Sequence, residues 1–471
     1  MFFSMDAAPD SILNAAMINR AERQSRGKGL RDKVPRASQA DWQPVTHRTQ
    51  LLSMLEESNR DRLPDLIPLR YARMLQSPLA FFRGSAGVMA ADLATLPTTN
   101  LRLQSCGDCH LQNFGWFATP ERNLIFDVTD FDESRTAPWE WDLKRLVAST
   151  VLAARQLGLS SEKQQESGQA VAQAYREHLT EYQQFTPLEM WYQRLDVREL
   201  EKHPSMVASR PYLDSLVESA RKRTMEALFP KMTSRVAGQL RFKDRPPLIF
   251  HPPQQERYVS ECDALIRDYR QTLAEDRRVL LDRYRVADVV AKVVGVGSVG
   301  LRCGVVLLLD ADESPLLLQI KEARASVLEP FVGKSERTHH GQRVVHGQRV
   351  MQAASDLFLG WASDSEGRCY YFRQLRDMKF STTLEDLSPS EFWEYAKMCG
   401  WGLARAHAKA GNVASIAGYL GDGDQFDVAL GEFGMAYATQ AEHDYEVLRQ
   451  GAKSGRIPVA TDSDLSDGIP V

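Results

Sequence analysis

A glycine-rich run between two apolar stretches limits what this chain can become more than any other feature. Gly295-Val296-Gly297-Ser298-Val299-Gly300 follows the strand-like residues 289–294 and precedes 304–309, where Gly304 leads into Val305-Val306-Leu307-Leu308-Leu309. A dinucleotide site would place a helix directly after the glycines. Here the next element reads as a strand, so the run is expected to join two strands rather than a strand and a helix. A third apolar stretch, 316–320, ends in Lys321. Alone, a strand-end lysine usually faces solvent; its place after strand, glycines and strand makes Lys321 a candidate phosphate contact.

A second motif lies far upstream. Residues 101–105, 114–117 and 124–128 read as short strands, and Ala118-Thr119-Pro120-Glu121-Arg122-Asn123 has turn chemistry, so the last two strands form a hairpin. Gly107-Asp108 precedes the hairpin, Asn113 opens it, and Asp130-Phe131-Asp132 follows it. A hairpin brings its ends together, so Asn113 and Asp130 are expected to face one ion, with oxygen-only ligation that suits Mg²⁺ rather than zinc. Phosphoryl transfer needs a carboxylate near the attacking hydroxyl, oxygen ligands for a metal, and positive charge on the phosphates. Asp108, and then Asn113 with Asp130, meet the first two needs. Any one of these residues alone would more often be a turn or cap residue. Cys106-Gly107-Asp108-Cys109-His110 also fits the c-type haem attachment pattern, but no second axial ligand and no further zinc ligand is near, so neither group is expected.

Formal charge is −4, so bulk electrostatics does not recruit nucleic acid or an anionic membrane. Seven basic residues between Arg20 and Arg36 read as a solvated or loosely docked arm rather than a nucleic-acid contact, having no interleaved aromatics. No apolar run is long enough to span a membrane and the N-terminus lacks signal-peptide character, so with only six cysteines a cytoplasmic location is expected. The expected organisation is a partly disordered basic arm (1–45), a catalytic core (46–186), a mainly helical accessory region (187–285), and a β-rich lobe (286–385). Helices returning to the core (386–451) and a disordered acidic tail (452–471) complete it. Within it, 340–357 reads as one helix and 389–410 as another, with Ser388 and Glu391 at capping-box spacing and Pro389 at the first helical position.

The acidic segment resembles the aminoglycoside and choline kinase group of the protein-kinase-like superfamily, whose loop reads H-G-D-x-H-x-x-N before a hairpin and I-D-F/W. Cys106-Gly107-Asp108-Cys109-His110-Leu111-Gln112-Asn113 departs only at the first position. That resemblance implies Asp108 as catalytic base, Asn113 and Asp130 as Mg²⁺ ligands, and Asp142, twelve residues after Asp130, as a brace opening a central helix. Asp127 is the alternative metal ligand, being nearer the usual loop length. It further implies that Gly295, Gly297, Ser298, Gly300 and Lys321 bind ATP, with a glutamate on the following helix pairing the lysine. Residues 337–355 contain no glutamate, leaving Glu322, Glu329 or Glu336 as substitutes. His110, Asp132 and Arg83 are supporting candidates, Arg83 as a phosphate or substrate contact or as a core-bordering ion pair.

The order of the parts is reversed relative to ordinary kinases, since the glycine run follows the acidic loop. Leu403-Ala404-Arg405-Ala406-His407-Ala408 resembles the helix that precedes H-G-D in those families, so a circular permutation is implied. The expected fold is α+β, a kinase-like two-lobe arrangement with the catalytic lobe ahead of the glycine-loop lobe. Residues 77–84, 106–132, 139–146, 292–300, 342–361 and 373–379 are also similar to the bacterial family of domain of unknown function 2252. The expected activity is ATP·Mg²⁺-dependent transfer to a hydroxyl of an unspecified small molecule or protein. The alternatives are nucleotidyl (AMP) transfer and a non-catalytic nucleotide-binding pseudokinase.

Overall fold

The computed structural model describes residues 18–44, 48, 50–202, 217–220, 222–253, 255–375, 378–379 and 382–460. It is a mixed α and β structure in which most strand residues gather into one sheet. The glycine run lies between antiparallel strands: Arg285–Lys292 pairs with Cys303–Leu309, which pairs with Pro315–Ala323. Cys369–Gln374 and Gly360–Ser363 extend the sheet beyond Pro315–Ala323, and Ile249–Phe250 closes the opposite edge.

Period-two alternation sorts the side chains of these strands. Val306 and Leu308 join Val289, Leu318 and Phe372 in a core with residues of the helices Gln255–Gln271 and Glu275–Leu281. Val305 and Leu307 join Val290 and Leu317 in a second core with Leu69, Met232 and Phe242. Both faces are therefore covered, which is why these strands read as unbroken apolar runs. The region 187–285 supplies an edge strand and two covering helices of this sheet layer.

A helical body packs beside the sheet, built on Trp139–Gln156, Ser161–Tyr182, Pro389–Ala410 and Gln425–Lys453. Pro389–Ala410 starts as its sequence dictates: Ser388 Oγ accepts from Glu391 N–H, and the Glu391 carboxylate accepts from Ser388 N–H. Gly400 lets this helix approach its neighbour closely, since a Cβ there would lie 2.4 Å from Val171 O.

The basic arm is partly a docked element. The helix Arg20–Gly29 crosses Val413–Leu420 where Gly27 and Gly418 face backbone, and a Cβ at either would fall about 2 Å from a carbonyl oxygen (1.9 and 2.1 Å). Arg31 donates to the carbonyls of Gly418 and Tyr419, and Arg36 to that of Leu420. These cations satisfy the C-terminal carbonyls of a helix and oppose its negative end. Residues 452–460 are not a loose tail: Ile457 is buried and Ala460 N–H donates to Pro68 O. The remainder of the expected arm and tail, 1–17, 45 and 461–471, lies outside the described residues. The helix expected over 340–357 is His340–Met351, ending where Asp127 captures the Ala353 N–H. Among the described residues no helix is long and apolar enough to cross a membrane.

Candidate functional site

The helix Trp139–Gln156 is buried along nearly its whole length, yet one face carries Asp142, Arg145 and Ser149 at steps of three and four. All three hold the loop that contains Asp108. Asp142 accepts from Cys106 N–H at 2.9 Å and Gly107 N–H at 3.0 Å. Arg145 Nε donates to Asp108 Oδ1 at 2.6 Å, and its Nη2 to Phe82 O at 2.8 Å. Ser149 Oγ accepts from Leu111 N–H. Gly107 takes φ +81°, and a Cβ there would lie 2.2 Å from Glu133 O, so only glycine fits ahead of Asp108. From the opposite side His407 Nε2 lies 3.2 Å from Asp142, with Tyr175 OH 2.9 Å from its Nδ1.

Asn113 closes the loop. Its Nδ2 donates to Asp108 O at 2.8 Å, and its backbone carbonyl accepts from Thr129 N–H across the hairpin Phe114–Ala118 and Leu124–Val128. Asp130 accepts only from Asp132 N–H among the described residues. Asn113 Oδ1, the second Asp130 oxygen and Asp108 Oδ2 therefore keep acceptor capacity.

The sheet meets this loop through Lys321. Its Nζ lies 2.5 Å from Asp132 Oδ2, whose carboxylate also accepts from Ser298 Oγ at 3.0 Å and Tyr371 OH at 2.6 Å. Asp132 thus takes the place for which Glu322, Glu329 and Glu336 were candidates. Glu322 instead pairs with Arg302 on the adjoining strand end. Burial opposes the charge of Asp132, but Lys321 and Tyr371 outweigh it and hold the carboxyl down at about 2. Burial likewise opposes the charge of Lys321, and Asp132 keeps it cationic, well above the ordinary lysine range.

Asp108, His110, Asn113, Asp130, Asp132 and Arg83 line one cavity of about 160 Å³ together with Gly295, Gly297, Ser298 and Lys321. Gly295 has open space where a Cβ would stand, and Gly297 only an ordinary contact with Arg83 O at 3.6 Å, so their missing side chains leave room rather than fill a packing need. Gly300 is different: φ +87° and a Cβ 3.0 Å from Arg62 make it a fold residue, and it does not line the cavity. A larger cavity of about 670 Å³ adjoins, sharing Val294, Gly295, Gln319 and Arg373.

Asp127 is not a ligand candidate. It is fully buried, with both oxygens 2.7–2.9 Å from Arg405 Nη2, and it accepts from Val128 and Ala353 N–H. Asp142 is likewise a brace outside the cavity. Among the described residues, one group of three Cys, His or acidic ligands is close enough to share a metal: Cys106, Cys109 and Asp142. Burial pushes both thiols up, which keeps them protonated, and the Asp142 carboxylate already holds two backbone N–H groups, so this donor set does not suit a metal. Burial raises the Asp108 carboxyl to about 6, against the pull of Arg145. Burial, with Arg83 and Arg145 nearby, drives His110 well down, so its imidazole is neutral.

The family described as uncharacterized protein conserved in bacteria (DUF2252) matches residues 62–451. The chain belongs to it. No curated protein and no solved structure matches the chain. The span matched by DUF2252 begins at Arg62 and takes in every residue lining the small cavity, while the docked arm precedes it.

Sequence reasoning missed three arginines. Arg145 had a signal, the polar stripe on an otherwise buried helix. Arg405 and Arg62 had none, because their partners are distant in the chain. Arg62 props the glycine loop by donating to the carbonyls of Gly297 and Val299.

Two outcomes follow from these contacts. Arg405→Met should lower unfolding free energy by about 3–5 kcal/mol, because it strands a buried Asp127 carboxylate; urea denaturation showing a loss within experimental error of zero would contradict the pairing. For Asp108, a folded value above the unfolded one means that the native state holds the proton more tightly. Its stabilising contribution is present below about pH 4 and is lost as pH rises through about 6, by up to about 3 kcal/mol. The stability of wild type relative to Asp108→Asn should therefore fall across that window, and a pH-independent difference would show that the carboxyl is not raised.

Proposed function

We propose that this protein is a kinase-like phosphotransferase that moves a phosphoryl group from ATP to a hydroxyl on a small molecule or protein. The observation that carries this reading is the single cavity in which Asp108, Asn113 and Asp130 meet Gly295, Gly297 and Lys321, drawn from distant parts of the chain. Phosphoryl transfer asks for positioning and electrostatic stabilisation, and these residue types supply both. Mg²⁺ fits the free oxygens of Asn113 and Asp130, a neutral and an anionic hard donor. When bound it would neutralise phosphate charge. Lys321 and the backbone over Gly295 and Gly297 face the phosphates. The adjoining cavity, within the range of about 300–1,000 Å³ usual for small-molecule sites, receives the base and sugar.

Asp108 receives the acceptor proton. Arg145 fixes one of its oxygens and leaves the other open to a hydroxyl. A carboxyl at about 6 is mostly ionised at neutral pH yet basic enough to exchange a proton. In fold, this reading places a catalytic lobe before a sheet lobe in permuted order, with Pro389–Ala410 returning to brace the catalytic loop through His407. The Asp142 contacts with the loop backbone and the Asn113–hairpin–Asp130 spacing support that arrangement. The lysine partner departs from the kinase pattern, being Asp132 rather than a helix glutamate, and that departure keeps nucleotidyl transfer as the rival chemistry.

Wild type should be stabilised against heat by ATP with Mg²⁺, and Asp130→Ala should lose the Mg²⁺-dependent part. Absence of any shift in wild type would contradict nucleotide binding. With labelled ATP and an extract of bacterial metabolites and proteins, label from the γ position should appear on an acceptor. Label from the α position would mean nucleotidyl transfer. Binding that survives in both Asp108→Ala and Asp130→Ala, with no transfer by wild type, would mean a non-catalytic nucleotide-binding module.

A further inference from the structure

Most cations around the small cavity already have partners. Lys321 is paired with Asp132, Arg373 Nε donates to Gln319, and Arg62 is held by backbone carbonyls. Arg83 is the exception. It lines the cavity, makes no hydrogen bond or ion pair among the described residues, and its Nε is sealed from solvent without an acceptor. A guanidinium carries five N–H donors in a planar fork, and leaving even the sealed Nε–H unmet in a desolvated place is costly. Such an arrangement is retained where an anion arrives to meet it.

Its position is fixed from several sides. Arg83 lies in the short helix Pro78–Gly84, capped by Ser77 Oγ. The carbonyl of Phe82 accepts from the same Arg145 that holds Asp108, and that of Gly84 accepts from Arg70. The glycine loop passes over it at Gly297. The carboxylates acting on Arg83 most strongly are Asp108 and then Asp130, whereas Lys321 answers to Asp132. Arg83 therefore stands beside the Asp108 loop, next to the Phe82 carbonyl through which Arg145 ties its helix to Asp108.

We propose that Arg83 is a catalytic residue whose guanidinium contacts the phosphoryl group in transit between ATP and the hydroxyl at Asp108. The inference rests on the phosphotransfer reading above. In that step the acceptor oxygen forms a bond to the γ-phosphorus and the bond from that phosphorus to the β,γ-bridging oxygen breaks. The electron pair leaves on ADP, and the hydroxyl proton passes to Asp108. Arg83 keeps its own protons throughout and neutralises the equatorial oxygens.

Planar metal fluorides separate this role from ordinary nucleotide binding. Affinities for ADP·Mg²⁺ alone, and for ADP·Mg²⁺ with aluminium fluoride, should be measured by calorimetry on wild type, Arg83→Met and Arg83→Lys. Wild type should bind the fluoride-containing complex more tightly than ADP·Mg²⁺. Arg83→Met should retain ADP·Mg²⁺ affinity but lose on the order of a hundredfold of the fluoride-dependent gain. Arg83→Lys, which keeps the charge without the fork, should recover part of that gain and guards against a folding defect in the first variant. An undiminished fluoride-dependent gain in both variants, or an equal loss of both affinities, would overturn the role of Arg83 while leaving the phosphotransfer reading standing. If wild type fails to bind ADP·Mg²⁺ at all, that reading and this role fall together.

Discussion

The contact between Lys321 and Asp132 joins two parts of the chain 189 residues apart at a distance of 2.5 Å. A buried ion pair adds little net stability, because desolvation consumes most of the attraction, but breaking one side of it costs several kcal/mol. Its consequence is register. With Ser298 and Tyr371 also donating to Asp132, the sheet and the acidic loop meet in one arrangement. Asp130, two residues earlier, is thereby set opposite the glycine loop.

The helix His340–Met351 explains why the lysine has no glutamate partner there. Gly347 brings this helix so near the acidic loop that a Cβ would lie 2.3 Å from Ser134 Oγ. Its Arg343 donates to the carbonyls of Asp132, Ser134 and Arg324. The helix therefore presents a cation to loop carbonyls instead of an anion to the lysine, and the anion comes from the loop. The cation stands on the helix and the anion on the loop, and Lys321 is paired. Because the pair lies between sheet and loop, it forms whenever those two are docked.

What could be read from the sequence was local. The strand after the glycine run, the hairpin, and the start of Pro389–Ala410 are determined by residues a few positions apart, and the structure has each of them within a residue, while the strand before the glycines starts four residues earlier than read, at Arg285. The spacing of Asp108, Asn113 and Asp130 was legible for the same reason, since a hairpin fixes which residues return to each other. The pairs that choose between alternatives were not legible. Asp127 and Asp130 look alike in sequence, and only Arg405, distant in the chain, shows that the first is neutralised in the core. Charge composition left the arm's place open: Arg31 and Arg36 read as parts of a solvated or loosely docked arm, and they cap a helix near the other end of the chain.

We propose that the glycine loop and acidic loop form one nucleotide site, with Lys321 facing the phosphates. An acyl-phosphate derivative of ATP, which acylates a lysine lying beside its phosphates, tests this most directly when followed by peptide mass spectrometry. Lys321 should be modified, and excess ATP with Mg²⁺ should suppress that modification. Modification confined to other lysines, or labelling of Lys321 that ATP does not compete away, would contradict it.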